Sequence, residues 1–140
     1  MVDGIKSRDY HHGDNELGSI CGYDTRLSML RAEYSMSDPY LVITSWPDFD
    51  GARLQARHWL DEKLAASVNI LPQMDSVYRW RGEIRSGCEH KIFIKTTAER
   101  LDALQREIRS AHPYAVAEIL HFRIDSGDPE YLDWITQSTQ

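Results

Sequence analysis

Any chemistry in this sequence has to come from a short set of side chains. The histidines are His11, His12, His58, His90, His112 and His121, and the cysteines are Cys21 and Cys88. No two histidines form an HxxxH pair and neither cysteine belongs to a CxxC pair, so the spacings that preassemble a zinc site are missing. Cys88 and His90 stand at i and i+2, which on a strand turns both to one face, but no further ligand lies close in sequence. His11-His12 picks up metal only incidentally. The sequence contains no GxSxG, GxxxxGK[ST], GxGxxG or HExxH motif and no evident nucleophile–base pair. It does not read as an enzyme.

Glu118 carries the strongest single signal. Read as part of a strand, it shares a side with Val116, Leu120 and Phe122, an apolar set. A carboxylate buried there unpaired is costly, so it needs a partner or a raised pKa. Two roles follow: an ion pair or hydrogen bonds across a subunit boundary, or a ligand- or metal-binding carboxylate in a cleft. Its candidate companions are His112 and Tyr114 from the preceding loop, with Lys95, Tyr78 and Trp80. The last two equally suit interface anchors.

The elements that must position these residues are regular from Tyr40 onward. Tyr40–Trp46 (YLVITSW) is a β-branched, apolar run closed by Pro47. Asp48 is the expected N-cap of a helix whose apolar stripe is Ala52, Ala56, Trp59, Leu60 and Leu64. Strands are expected over Ser67–Leu71, about Gln73–Arg81 and Glu83–Lys95, with a tight turn at Gly82. Thr96-Thr97-Ala98-Glu99 has capping-box spacing and heads a helix with Leu101, Leu104 and Ile108. A last strand is expected over Tyr114–Ile124, and Asp128-Pro129 opens a short helix with Tyr131, Leu132 and Ile135. The fold class is therefore α+β: a ferredoxin-like βαββαβ order plus a C-terminal helix, its antiparallel sheet covered by helices on one face.

One such subunit looks incomplete. A strand over residues 83–95 spans about 44 Å, against a radius of gyration near 13 Å for a domain of this size. The hairpin must overhang, yet it carries Val77, Tyr78, Trp80 and Ile84. Exposed apolar strands of this kind call for pairing or covering. The last strand looks apolar on both sides, whereas helices cover only one side of the sheet. Self-association through the open face resolves both features. Pattern alone does not choose dimer or trimer.

Read together, Lys63–Ile70 (KLAASVNI), Ser76–Gly82 (SVYRWRG), Ile94-Lys95-Thr96, His112-Pro113-Tyr114, Ala117-Glu118-Ile119 and Tyr131-Leu132-Asp133-Trp134 closely resemble the CutA family of divalent-cation tolerance proteins. The resemblance covers about residues 40–138. It implies a homotrimer whose long hairpins wrap neighbouring subunits, a role in tolerance of and response to divalent metal ions including copper, and no enzymatic activity. It also implies likeness to nitrogen-regulatory signalling trimers, which bind small ligands between subunits. Some relatives bind copper through a Cys near the end of the first strand, a His just before the His-Pro-Tyr word and the Glu after it. Those positions are Thr44, Ala111 and Glu118 here, so two of the three ligands are missing. The expected site is therefore Glu118 with His112 for a possible divalent metal (copper or zinc, neither required), and a ligand cleft at Tyr78, Trp80, Lys95 and Tyr114.

Composition sets the frame for all of this. The chain has 140 residues, with 16 Lys plus Arg, 22 Asp plus Glu and a net charge of −6. That acidity argues against a nucleic-acid partner. No apolar run reaches the roughly 18 residues of a membrane helix. With two cysteines and a polar start, the reading is a reduced, cytoplasmic protein. Residues 1–38 hold four of the eight glycines and no sustained period, and are expected to form a flexible extension before a domain at 39–140. Met36 offers a second possible start.

Overall fold

Pro47 cannot donate to a ladder, so strand β1 (Pro39–Trp46) stops and the chain turns at once into helix α1 (Phe49–Asp61). Asp48 caps that helix from an extended conformation, accepting the Gly51 N–H at 2.6 Å. Gly51 has no room for a side chain. A Cβ there would stand 2.8 Å from the Asp48 carboxylate and 2.9 Å from the Trp46 indole nitrogen. Ala52, Ala56 and Trp59 are buried as the apolar stripe requires. The stripe does not continue as one helix to Leu64, however. Lys63 adopts φ 55, and the chain closes in a Schellman motif, with Leu64 N–H donating to Trp59 O (2.8 Å) and Lys63 N–H to Leu60 O (3.0 Å). That reversal, not helical periodicity, buries Leu64, and Leu60 is left exposed.

The computed structural model describes residues 34–140; residues 1–33, most of the expected extension, lie outside the described residues. Strands β2 (Ser67–Ile70), β3 (Met74–Trp80), β4 (Glu83–Thr97) and β5 (Ile119–Arg123) join β1 in an antiparallel sheet of order β2–β4–β1–β5, with β3 paired to the outer part of β4. The turn between β3 and β4 is Arg81-Gly82, both at positive φ (50° and 80°), as a two-residue hairpin demands. Because β4 meets β1 only from His90 onward, residues 83–89 pair with β3 alone. Seven residues at about 3.4 Å each carry the hairpin some 24 Å past the sheet. Val77 and Ile84 there are strongly exposed.

Alternation along the strands sorts the two faces. Val42, Ile92 and Ile94 face the helices and form the core with Trp46, Ala52, Trp59, Leu104 and Ile108. Leu41, Ile43, Phe93, Leu120 and Phe122 point the other way, in register with one another. Leu41, Ile43 and Phe93 are partly buried there, whereas Leu120 and Phe122 are 45% and 48% exposed.

Two expectations need correcting. The Thr96–Glu99 capping box does not form: β4 runs on to Thr97, a 3₁₀ turn (Ala98–Arg100) precedes helix α2 (Leu101–Ala111), and Thr97 makes no side-chain cap. The orphan donors are met instead by Asp38 O to Ala98 N–H (2.8 Å) and Met36 O to Glu99 N–H (2.8 Å), so the residues just before β1 are stitched to the start of α2. The last strand is also shorter than expected. Residues 114–118 are not strand; their backbone begins with Tyr114 N–H donating to His112 Nδ1 rather than to a ladder. Helix α3 (Pro129–Ser138) is capped by Asp128, which accepts the Tyr131 N–H at 3.1 Å. It buries Ile135 and anchors Thr139 against Thr97 (3.3 Å) and Arg100 Nε (2.7 Å).

Candidate functional site

The pleat of the hairpin sends Ser76, Tyr78 and Trp80 of β3 to the same side as Arg85, Gly87 and Glu89 of β4, through the pairs Ser76↔Gly87 and Tyr78↔Arg85. Lys91 extends that side onto the open sheet face beside Ser45. The irregular segment Pro113–Glu118 stands opposite, and the two walls enclose a cleft of about 720 Å³. A volume of this order suits a small organic molecule.

Each carboxylate in the cleft is already engaged. Glu89 accepts from Ser76 Oγ at 2.8 Å and, weakly, from Tyr114 Oη at 3.5 Å. Glu118 pairs with Lys91 Nζ at 2.5 Å, the two side chains 36% and 23% exposed. The partner that the apolar setting of Glu118 called for is therefore Lys91, on the neighbouring sheet face, and none of the companions read from sequence. Burial first, then the negative charge of Glu89, the nearby Tyr78 and the hydrogen bond to Glu89, hold the Tyr114 phenol above its ordinary pKa.

His112 is placed as a support rather than a ligand. Its Nε2–H donates to Ser45 O at 2.7 Å, and Nδ1 accepts the Tyr114 N–H at 3.1 Å. Both nitrogens are used, which sets the neutral Nε2–H tautomer and leaves no lone pair for a metal. The ring lies between Trp46 and Tyr114, at 4.5 and 5.0 Å. Lys95 is likewise not part of the cleft. It sits four residues further along β4, about 14 Å from Lys91, between Leu41 and Ser67, and donates to Asn69 Oδ1. Burial lowers its pKa. Of the ligand residues read from sequence, Tyr78, Trp80 and Tyr114 meet in one cleft.

Ser76, Arg85, Glu89 and Lys91 were not singled out from sequence, although the signal was available. They share strand parity with Tyr78 and Trp80, a reading that needs the Arg81-Gly82 turn to set the register.

The copper site carried by some relatives does not fit the residues present. Copper favours thiolate and imidazole. Thr44 offers a hydroxyl, and that hydroxyl is buried on the helix side of the sheet, the opposite face from Lys91 and its partner Glu118. Ala111 offers a methyl group. Cys88 borders the cleft but engages Asp75 through Sγ (3.4 Å), and His90, of the same strand parity, turns Nδ1 to Leu71 O (2.9 Å). Among the described residues no three metal-ligating side chains converge.

Comparison with known proteins covers residues 40–138 of the described chain. A family model described as CutA1 divalent ion tolerance protein matches residues 40–138. The divalent-cation tolerance protein CutA of Thermus thermophilus is 38% identical over 99 residues, covering 71% of this chain and 96% of that protein. A CutA homolog of Xenopus laevis is 36% identical over 112 residues, covering 76% and 74%. The crystal structure of CutA from Xylella fastidiosa aligns with a TM-score of 0.71 at 36% identity, over 74% of this chain and 99% of that one. The match runs from the first strand to the last helix and agrees in both sequence and structure, so the chain belongs to the CutA1 divalent ion tolerance family.

Proposed function

We propose that this protein acts in divalent-ion tolerance as a homotrimer of ferredoxin-like subunits, and that any divalent ion it holds lies between subunits on carboxylate oxygens. One observation carries the reading. A single chain leaves Leu120 and Phe122 about half exposed on its open sheet face, on the strand that follows Glu118 of the cleft. Burying that face against a second copy would close the cleft from its open side and bring further ligands to it. With Thr44 and Ala111 in the copper-ligand positions, oxygen donors favour zinc over cuprous copper. No catalytic step is part of the proposal.

Isothermal titration of metal-stripped protein with zinc, copper and cadmium tests the metal half. Micromolar zinc binding that Glu118→Gln weakens about tenfold or more, a loss of roughly 1.4 kcal/mol, supports it. Binding no tighter than millimolar for all three ions overturns it and makes any role in metal tolerance indirect.

A second reading, a ligand-sensing trimer, is favoured by the make-up of the cleft: Arg85 and Lys91 of one sign, Glu89 and Glu118 of the other, and the rings of Tyr78, Trp80 and Tyr114. That set suits a small polar or aromatic metabolite. A compound that raises the melting temperature when zinc does not would decide for it.

A further inference from the structure

Of the two acids that line the cleft, Glu118 has a cation and Glu89 does not. The partners of Glu89 are hydroxyls, Ser76 Oγ at 2.8 Å and Tyr114 Oη at 3.5 Å, and it forms no ion pair among the described residues. Lys91, two residues on and about 7 Å away along the strand, is held by Glu118 at 2.5 Å. Arg85, four residues back, pairs with Glu83. Glu89 is also partly buried, so water offsets its charge less fully than on an open surface. The rings of Tyr78 and Tyr114 line the same cleft and are 48% and 43% exposed. The two stand close together, since Tyr78 helps to hold the Tyr114 phenol un-ionised. The ring of Trp80 already has the Arg81 guanidinium 5.7 Å over it, whereas no cation stands over Tyr78 or Tyr114 among the described residues. Aromatic faces attract cations, so a carboxylate without a cation lies beside two rings without one.

We propose that the cleft binds a small organic ammonium ion, which donates to Glu89 and lays its carbon skeleton against the rings of Tyr78 and Tyr114. A metal ion fits Glu89 less well. It needs several hard donors converging on one point, and among the described residues no three ligating side chains do so. An ammonium needs one carboxylate, hydroxyl oxygens that can accept, as Ser76 and Tyr114 supply, and ring faces for the carbons next to the charge. An anion finds less again, because Glu89 repels it, Glu118 holds Lys91, and Arg85 is itself paired. The cavity of about 720 Å³ leaves room for a stem and a ring as well as the charged group. The inference rests on the ligand-sensing reading above and narrows it to one charge class.

Isothermal titration and melting temperatures of the full chain test it at neutral pH with three probes of one shape: benzylamine, which is protonated there, benzoate and benzyl alcohol. Zinc is titrated beside them. Benzylamine should bind at millimolar concentration or tighter, with benzoate and benzyl alcohol weaker by about 10-fold or more. Glu89→Gln keeps an acceptor for Ser76 and removes the charge. It should cut benzylamine binding about 10-fold or more while circular dichroism and sedimentation stay those of the wild type. Tyr78→Ala, at an exposed ring, should weaken the same probe about threefold. No binding of benzylamine, equal binding of the three probes, or benzylamine binding that Glu89→Gln leaves unchanged overturns the ammonium site. Preference for benzoate overturns it too and leaves the ligand-sensing reading standing. Zinc as the only species that raises the melting temperature overturns both.

Discussion

Thr44 and Tyr114 show how far a residue's type can be read without its surroundings. Thr44 lies within β1, where its hydroxyl is wholly buried and has no hydrogen-bond partner among the described residues. An unmet buried hydroxyl costs about 1–3 kcal/mol, so Thr44→Val, which keeps the shape and removes the orphan, should raise stability by about 1 kcal/mol in urea denaturation. A loss of stability would mean that the hydroxyl has a partner. Tyr114 gives a pH prediction. Its folded pKa lies above that of a free phenol, near 10, so the unfolded chain ionises first as pH rises. The contribution is whole below the unfolded pKa and is lost as pH climbs through the folded one. Ultraviolet titration of phenolate should find Tyr114 ionising late. Glu89→Gln should lower its pKa only in part, because burial, the leading cause, remains.

At the scale of elements, residues 81–82 decide whether the hairpin forms in register. Gly82 has no heavy atom within 4 Å of where a Cβ would be, so space does not explain the glycine; its φ of 80° does. Gly82→Ala should cost about 1 kcal/mol through backbone conformation alone, read as a lower melting temperature with no change in assembly. Most elements were plain from periodicity: β1, the Asp48 cap, the start of α1, the hairpin and α3 all lie where alternation, Pro and Asp place them. The failures share a cause. Thr96–Glu99 and Tyr114–Glu118 carry good local signals for a cap and a strand, but partners distant in sequence took their backbone groups: Asp38 and Met36 in one case, the ring of His112 in the other. A local pattern states what a segment is able to do, and tertiary partners choose among its options.

At the scale of the whole molecule, the open sheet face governs behaviour. Phe122 is 48% exposed in a single chain, so Phe122→Asp should leave the subunit folded by circular dichroism. The same change should weaken assembly about 100-fold, roughly 2–3 kcal/mol for one aromatic withdrawn from the contact. Sedimentation of the variant as the same species as wild type at equal concentration would show that Phe122 is not buried on association. The sequence by itself determined the order of helices and strands, the overhanging hairpin and the apolar side of β5, because backbone periods of 3.6 and 2 residues are local and visible in one dimension. Only the tertiary structure decided which polar groups meet. Lys91 rather than Lys95 answers Glu118, Glu89 joins the cleft, and His112 turns both nitrogens to the backbone. Those outcomes depend on strand register and on which carbonyl remains free, and both are settled between segments far apart in the chain, where single-residue identity carries no information.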